Sequence, residues 1–331
     1  MGGNALKYAK TERKNIKDYN CIKTHVLDEL SKYVICKAVT ECPEKNSFGD
    51  LDVLYIFDEK IVIRNLINEL FNPTEIVVTD PIISFDYNNF QIDLIKSSSS
   101  EDFNSKMFYY ANGDLGCLMG KMMNFYKIKF GTCGLWIDIG NTIDNKSLGV
   151  KCNIGQKILL SNEPAQICKF LELDYALWHE GFKTKISIFE WLYSSKYFEK
   201  AIFNVVNGMD RKRMECREMY MDFMKWLWGG DGTPTESKPT IKYIQAYSIA
   251  YFNKQKELDM IVDEIKLREI RKTKYNGTLF VNNGINNTLI AKIMNQFEKY
   301  IELVKKIDFI KWVDMSKKET IQNELKNYFL I

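Results

Sequence analysis

Three aspartates carry the strongest chemical signal in this chain. Gly49-Asp50-Leu51-Asp52-Val53-Leu54-Tyr55-Ile56 reads as an apolar strand with two carboxylates set into it. Side chains alternate faces along a strand, so Asp50 and Asp52 point the same way while Leu51 and Val53 point the other. A second apolar segment, Phe90-Gln91-Ile92-Asp93-Leu94-Ile95, carries one further carboxylate. Three carboxylates gathered on neighbouring strands cannot all stay ionised and unpaired away from water. A pair of divalent ions resolves that repulsion, and hard oxygen ligands suit Mg²⁺ or Mn²⁺. The chemistry this predicts is in-line phosphoryl transfer, with one ion activating the attacking oxygen and the other steadying a triphosphate. A lone Asp-x-Asp is more often the solvent face of an edge strand or a turn. The preceding glycine, the apolar run and the third aspartate argue for the metal site.

At these residues the sequence resembles a family. Phe48-Gly49-Asp50-Leu51-Asp52-Val53-Leu54 is similar to the palm signature of the DNA polymerase β superfamily of nucleotidyltransferases, above all its family X polymerases. Gln91-Ile92-Asp93-Leu94-Ile95 stands where that family places its third carboxylate. Tyr109-Tyr110-Ala111-Asn112-Gly113 resembles the segment that holds the incoming sugar. Gly131-Thr132-Cys133-Gly134-Leu135-Trp136 and Ile167-Cys168-Lys169-Phe170-Leu171-Glu172-Leu173 resemble later family segments, in the right order. Where the superfamily has a Gly-Ser or Gly-Gly pair ahead of the first aspartate, this chain reads Ala38-Val39-Thr40-Glu41-Cys42, so only Thr40 offers a hydroxyl. The Arg-rich turn of family X is also absent.

The resemblance implies a palm in which Asp50, Asp52 and Asp93 are catalytic and bind two Mg²⁺ or Mn²⁺ ions. It implies a nucleotide site drawing on Thr40, Ser47, Gly49, Tyr109, Tyr110, Gly113 and Lys121. Lys121 lies two turns into a helix opened by Asn112-Gly113-Asp114; it neutralises phosphate if it faces the cleft and is otherwise a solvated surface lysine. The expected reaction transfers a nucleoside monophosphate from a ribo- or deoxyribonucleoside triphosphate to a nucleic-acid 3′ end. Three alternatives share or degrade the same palm: a poly(A)- or CCA-type tailing enzyme, a protein- or small-molecule-modifying nucleotidyltransferase, and a non-catalytic copy acting as a binding module.

The bulk composition narrows the field in other ways. With 331 residues, 46% hydrophobic and 27% charged, the chain has the balance of an ordinary globular protein large enough for two domains. No apolar run reaches membrane-spanning length and no secretion signal is expected. Eight cysteines without a Cys-x-x-Cys pair suit a reducing, cytoplasmic-type compartment. Only His25 and His179 are present, which argues against His-based triads and His-rich metal sites. Net charge is +3, with basic residues clustered at Arg211-Lys212-Arg213 with Arg217, and at Lys266, Arg268, Arg271, Lys272 and Lys274. Beside a polymerase-like palm, Arg211, Lys212, Arg213, Arg217, Arg268, Arg271, Lys272 and Lys274 become candidates for contact with DNA or RNA phosphates.

The elements that must position these residues follow from periodicity. A helix over 15–32 leads into strands at 34–39 and 50–56, and an amphipathic helix covers 61–71. Strands at 75–78, 82–86 and 90–96 follow, with Tyr87-Asn88-Asn89 as a hairpin turn and 97–100 as a flexible loop. A helix is expected from Leu115 to about Lys129. From residue 161 the pattern is helical almost throughout, over 162–172, 186–195, 210–228, 240–270, 287–305 and 316–329. The expected architecture is α+β: an N-terminal helical segment (1–32), a nucleotidyltransferase palm with a mixed sheet (33–160) and a helical C-terminal domain (161–331).

Overall fold

The computed structural model describes residues 4–139, 156–204, 208, 211, 216–229, 244–281 and 287–330. Its elements begin with β1 (Lys14–Asn15), α1 (Ile16–Leu30), β2 (Cys36–Ala38), β3 (Ser47–Phe48), β4 (Asp50–Ile56) and α2 (Ile63–Phe71). Then come β5 (Ile76–Thr79), β6 (Ile82–Tyr87), β7 (Phe90–Ser97), α3 (Ser100–Tyr110), α4 (Leu115–Phe125), β8 (Lys129–Gly131), β9 (Gly134–Ile139) and β10 (Gln156–Ser161). The helices α5 (Pro164–Leu171), α6 (Tyr175–Glu180) and α7 (Lys185–Tyr193) follow, and later helices are named by their residues.

The chain divides into two compact units, residues 1–138 with 159–252, and residues 139–158 with 253–331. The division therefore falls elsewhere than the expected boundaries at 32/33 and 160/161. The first helix and the segment 161–252 both belong to the unit that carries the sheet.

In that first unit a five-stranded mixed sheet has the order β2-β4-β7-β6-β5. The central pair β4·β7 is parallel; β2·β4, β7·β6 and β6·β5 are antiparallel. The architecture is α+β. A parallel central pair is covered on both faces, which explains why β4 and β7 read as nearly continuous apolar runs. On one face, Tyr19, Ile22, Val26 and Leu30 of α1 lie one helical turn apart and pack with Leu51, Val53, Ile92 and Leu94. On the other face Leu54 and Ile95 pack against Met107 of α3. Asp50 and Asp52 share the face of Leu54, and Asp93 shares that of Ile95, so α3 covers the face that carries the carboxylates.

Three local features differ from expectation. Residues 97–100 are not a loose loop, because Ser97 ends β7 and the Ser99 hydroxyl accepts the Asp102 amide to cap α3. Helix α4 ends at Phe125, where the turn to β8 requires Lys127 at φ 60. The expected 240–270 helix is two helices, Gln245–Tyr251 and Gln255–Lys274, separated at Asn253 with φ 55. The β6–β7 hairpin turns on Asn88 and Asn89, with φ 50 and 55, the left-handed pair a tight primed turn demands.

The second unit is helical in Gln255–Lys274, Gly277–Val281, Ile290–Lys305, Phe309–Met315 and Lys318–Leu330. Its core joins Tyr275, Phe280, Phe297, Phe309, Val313, Ile321 and Leu325. Among the described residues no helix is long and apolar enough to cross a membrane.

Candidate functional site

The parallel register of β4 and β7 sets Asp52 directly opposite Asp93, with Asp50 opposite Gln91 one pleat earlier. Since i and i+2 share a face, the three carboxylates belong to one side of the sheet near its β4/β7 start. Their electrostatics follow from that crowding. Burial first, then the negative charges of Asp50 and Asp93, push the Asp52 carboxyl up to about 7, against the opposing pull of Lys45. Burial also raises Asp93, which is held back by hydrogen bonds from Ser84 and Gln91. A buried carboxylate raised in this way, by desolvation first and by neighbouring negative charge second, gains from added positive charge.

Among the described residues no three His, Cys, Asp or Glu side chains stand as a ready-made metal-ligand cluster. The donor chemistry nevertheless fits Mg²⁺ or Mn²⁺. Asp50, Asp52 and Asp93 are hard oxygen donors that repel one another, and a divalent cation removes that repulsion. Gln91 Nε2 donates to both oxygens of Asp93 at 3.0 Å, which holds this carboxylate in place.

Around the carboxylates lies a wall the sequence reading did not identify. Tyr19 of α1 stacks on Phe48 with ring centroids 3.9 Å apart and an interplanar angle of 9°. Its hydroxyl donates to Glu41, and burial followed by that carboxylate raises its pKa well above the ordinary phenol value. Lys23 pairs with the same Glu41 at 3.1 Å. The Lys45 ammonium sits 5.0 Å over the Phe48 ring, and its charge acts on Asp52. Lys45 had a signal in the sequence, a lone cation in the loop immediately before β3. Tyr19 and Glu41 had none, because only tertiary packing brings α1 and the loop after β2 together.

Several expected nucleotide contacts converge on this region. Val39 donates its amide to the Asp52 carbonyl at 2.9 Å, and the next residue, Thr40, accepts the Asn112 amide at 2.7 Å. The exposed Thr40 hydroxyl and the Asn112-Gly113 turn are thereby brought beside β4. Burial, then the charge of Asp52, raises the Tyr110 hydroxyl, so this ring stands within electrostatic reach of the site. Tyr109 meets Tyr110 edge-on at 5.4 Å. Gly49 is buried between β3 and β4, and Ser47 lies on β3 with its hydroxyl accepting Arg13 Nε at 2.8 Å.

Gly113 has φ +68, and a Cβ there would lie 2.7 Å from Met219 Sδ and 3.2 Å from Cys42 Cβ. Gly113→Ala is expected to lower stability by about 1–3 kcal/mol, because alanine resists this backbone region whatever Met219 does. Thermal denaturation of the variant checks it; an unchanged midpoint would show that the turn relaxes freely.

Other candidate residues have partners within the chain. The Lys121 ammonium lies 5.6 Å from the centroid of the Phe203 ring. Arg217, with about half of its side chain exposed, forms an ion pair with the buried Asp114 that opens α4, so part of its charge is already matched within the chain. Lys274 donates to the carbonyls of Val313, Asp314 and Ser316, at 3.4, 2.6 and 3.3 Å, closing the C-terminal end of the Phe309–Met315 helix. Removing that ammonium in Lys274→Met is expected to cost the second unit about 1–2 kcal/mol, read as a lower denaturant midpoint. Arg211 and Lys272 are exposed. Arg268 and Arg271 lie on the Gln255–Lys274 helix with side chains outside the described set, and Lys212 and Arg213 lie outside the described residues.

No protein-family model matches the chain, and no curated protein sequence matches it.

Proposed function

We propose that this chain is a nucleotidyltransferase with a polymerase β-like palm, transferring a nucleoside monophosphate from a nucleoside triphosphate to the 3′ hydroxyl of a nucleic acid. The observation that carries this reading is the β4·β7 register, which puts Asp52 opposite Asp93 with Asp50 on the same face. The new bond joins the acceptor oxygen to the α-phosphorus, and the bond that breaks releases pyrophosphate.

Bound at Asp50, Asp52 and Asp93, Mg²⁺ or Mn²⁺ supplies Lewis-acid stabilisation of the triphosphate charge and acidifies the acceptor hydroxyl. The protein's own groups do the positioning, and no protein nucleophile is required. Asp93, fixed by Ser84 and Gln91, marks the acceptor side. Lys45, whose charge already acts on Asp52, supplies a cation toward the anionic triphosphate. Thr40 offers a hydroxyl to phosphate oxygens, while Tyr110 and the Gly113 turn form the wall against the sugar.

The test is incorporation of each labelled NTP and dNTP into single-stranded and primed RNA and DNA, with Mg²⁺ or Mn²⁺. Asp50→Asn/Asp52→Asn protein is the control. Extension that disappears in the control supports the reading, and the preferred primer separates a polymerase from a tailing enzyme. Extension that persists in the control removes it.

A second reading, transfer to a protein or small-molecule acceptor, gains from the partners that Arg217 and Lys274 already have within the chain. Those residues leave fewer cations for a phosphate backbone. Charge reversal at Arg211 and Lys272 leaves activity intact under this second reading and weakens nucleic-acid extension under the first.

A further inference from the structure

Residues 4–15 run as a strap past the starts of both carboxylate strands. The strap ends in β1, where Lys14 pairs with Phe48 and Asn15 with Ser47, just ahead of Asp50. Arg13 reinforces that end by donating to the Ser47 hydroxyl at 2.8 Å and to its carbonyl at 2.7 Å. Glu12 donates its amide to the Asn89 carbonyl at 2.9 Å, in the turn that opens β7. Further along, the amides of Lys7, Tyr8 and Ala9 converge on Glu75 Oε2 at 2.9, 2.7 and 2.9 Å. Glu75 in turn donates its own amide to Asp86 on β6 at 2.7 Å.

These anchors fix the position of Ala5, whose amide donates to Gln91 Oε1 at 2.9 Å. Gln91 shares the Asp93 face of β7 and is only 2% exposed, so water does not compete for its amide. A primary amide has one accepting end and one donating end. With the Ala5 N–H on its oxygen, the Gln91 nitrogen must face Asp93, where it meets both carboxylate oxygens at 3.0 Å. A flipped amide would set N–H against N–H at Ala5 and a carbonyl against the carboxylate.

We propose that Gln91 is the positioning residue of Asp93 and that the strap, through the Ala5 amide, sets Gln91. The strap is thus part of the site rather than a trailing end. This inference rests on the metal-site reading above, in which the direction of Asp93 determines how well a divalent ion is held. Groups that orient a metal ligand typically change affinity by 10- to 100-fold when lost.

The experiment measures Mn²⁺ binding to the 331-residue chain by electron paramagnetic resonance of the free ion. It compares the parent, Gln91→Leu, Ala5→Pro, the double variant and Asp52→Asn. Proline at position 5 deletes the N–H and leaves the Glu75 anchors in place. Gln91→Leu is expected to weaken Mn²⁺ roughly tenfold. Ala5→Pro is expected to weaken it severalfold in the parent and not at all in the Gln91→Leu background, the non-additivity that a shared path produces.

Mn²⁺ binding abolished by Asp52→Asn yet unchanged in Gln91→Leu overturns the inference while the metal reading stands. Equal effects of Ala5→Pro in both backgrounds overturn the role of the strap. A parent that binds no Mn²⁺ overturns the metal reading instead. In that event the side-chain amide resonances of Gln91 decide the positioning. Movement in both Ala5→Pro and Asp93→Asn supports it, and resonances unmoved by either variant overturn it.

Discussion

Asp52→Asn protein is expected to fold and to lose nucleotidyl transfer by about 10³-fold or more. The substitution keeps the size and planar shape of the side chain and removes one negative charge. Shape matters here, because Asp52 lies between Leu51 and Val53, both fully buried, and packing of β4 against β7 must survive. Charge matters more. Asp52 sits opposite Asp93, and the charges of both Asp50 and Asp93 act on it. The proposed reaction develops its charge on phosphoryl and leaving oxygens, and groups that fix compensating charge there usually govern the rate. The check is single-turnover incorporation with both metals, alongside a thermal melt. Full activity in a folded variant would sink the proposed function; inactivity with a lost fold would not bear on it, so the melt is run on the same sample.

Much of the first unit was legible because local and tertiary preferences agree there. The Asp50–Ile56 and Phe90–Ser97 strands are apolar on both faces, as a covered parallel pair must be, and their carboxylates interrupt that pattern visibly. Helix α1 announced its buried face through Tyr19, Ile22, Val26 and Leu30. The site wall was harder to read. Glu41 and Lys45 belong to an irregular stretch with no periodicity, and their meaning depends on Tyr19 and Phe48 arriving from elsewhere. The basic clusters were hard to judge for a related reason. A cation in sequence looks free until a carboxylate or helix end claims it, as Asp114 claims Arg217 and the Phe309–Met315 terminus claims Lys274. The unit boundary was missed because helical periodicity alone does not tell which core a helix joins. The α7 and Glu218–Trp228 helices belong with the sheet-bearing unit, whereas the helices after Asn253 build their own aromatic core.

The burial and the neighbouring carboxylates that raise Asp52 give this group a contribution to stability that falls as pH rises. Asp52 titrates near 3.9 in an unfolded chain and at about 7 in the fold. Between those values the folded state keeps a proton that the unfolded state has already lost. The contribution of Asp52 to stability is therefore full at low pH, declines as pH rises from about 4 to about 7, and levels off beyond. Asp93, also raised, adds in the same direction. Other carboxylates oppose the trend; Glu75, for example, is held below its usual range by the amides of Ala9, Tyr8 and Lys7. The difference between parent and Asp52→Asn cancels those background groups. In chelator at pH 8 the variant is expected to melt higher than the parent by roughly 5–10 °C, a few kcal/mol for a unit of this size. At pH 4 the two should melt together. Mg²⁺ or Mn²⁺ added at pH 8 should raise the parent and leave the variant nearly unmoved, because bound cation stabilises only the form with its ligands intact. Parent and variant melting alike at every pH would mean that water or a neighbouring cation already satisfies Asp52, and the case for a charge-starved site would fall. The predicted pairing of lost activity with gained stability is the signature that separates a site built for metal ions from carboxylates that merely share a sheet.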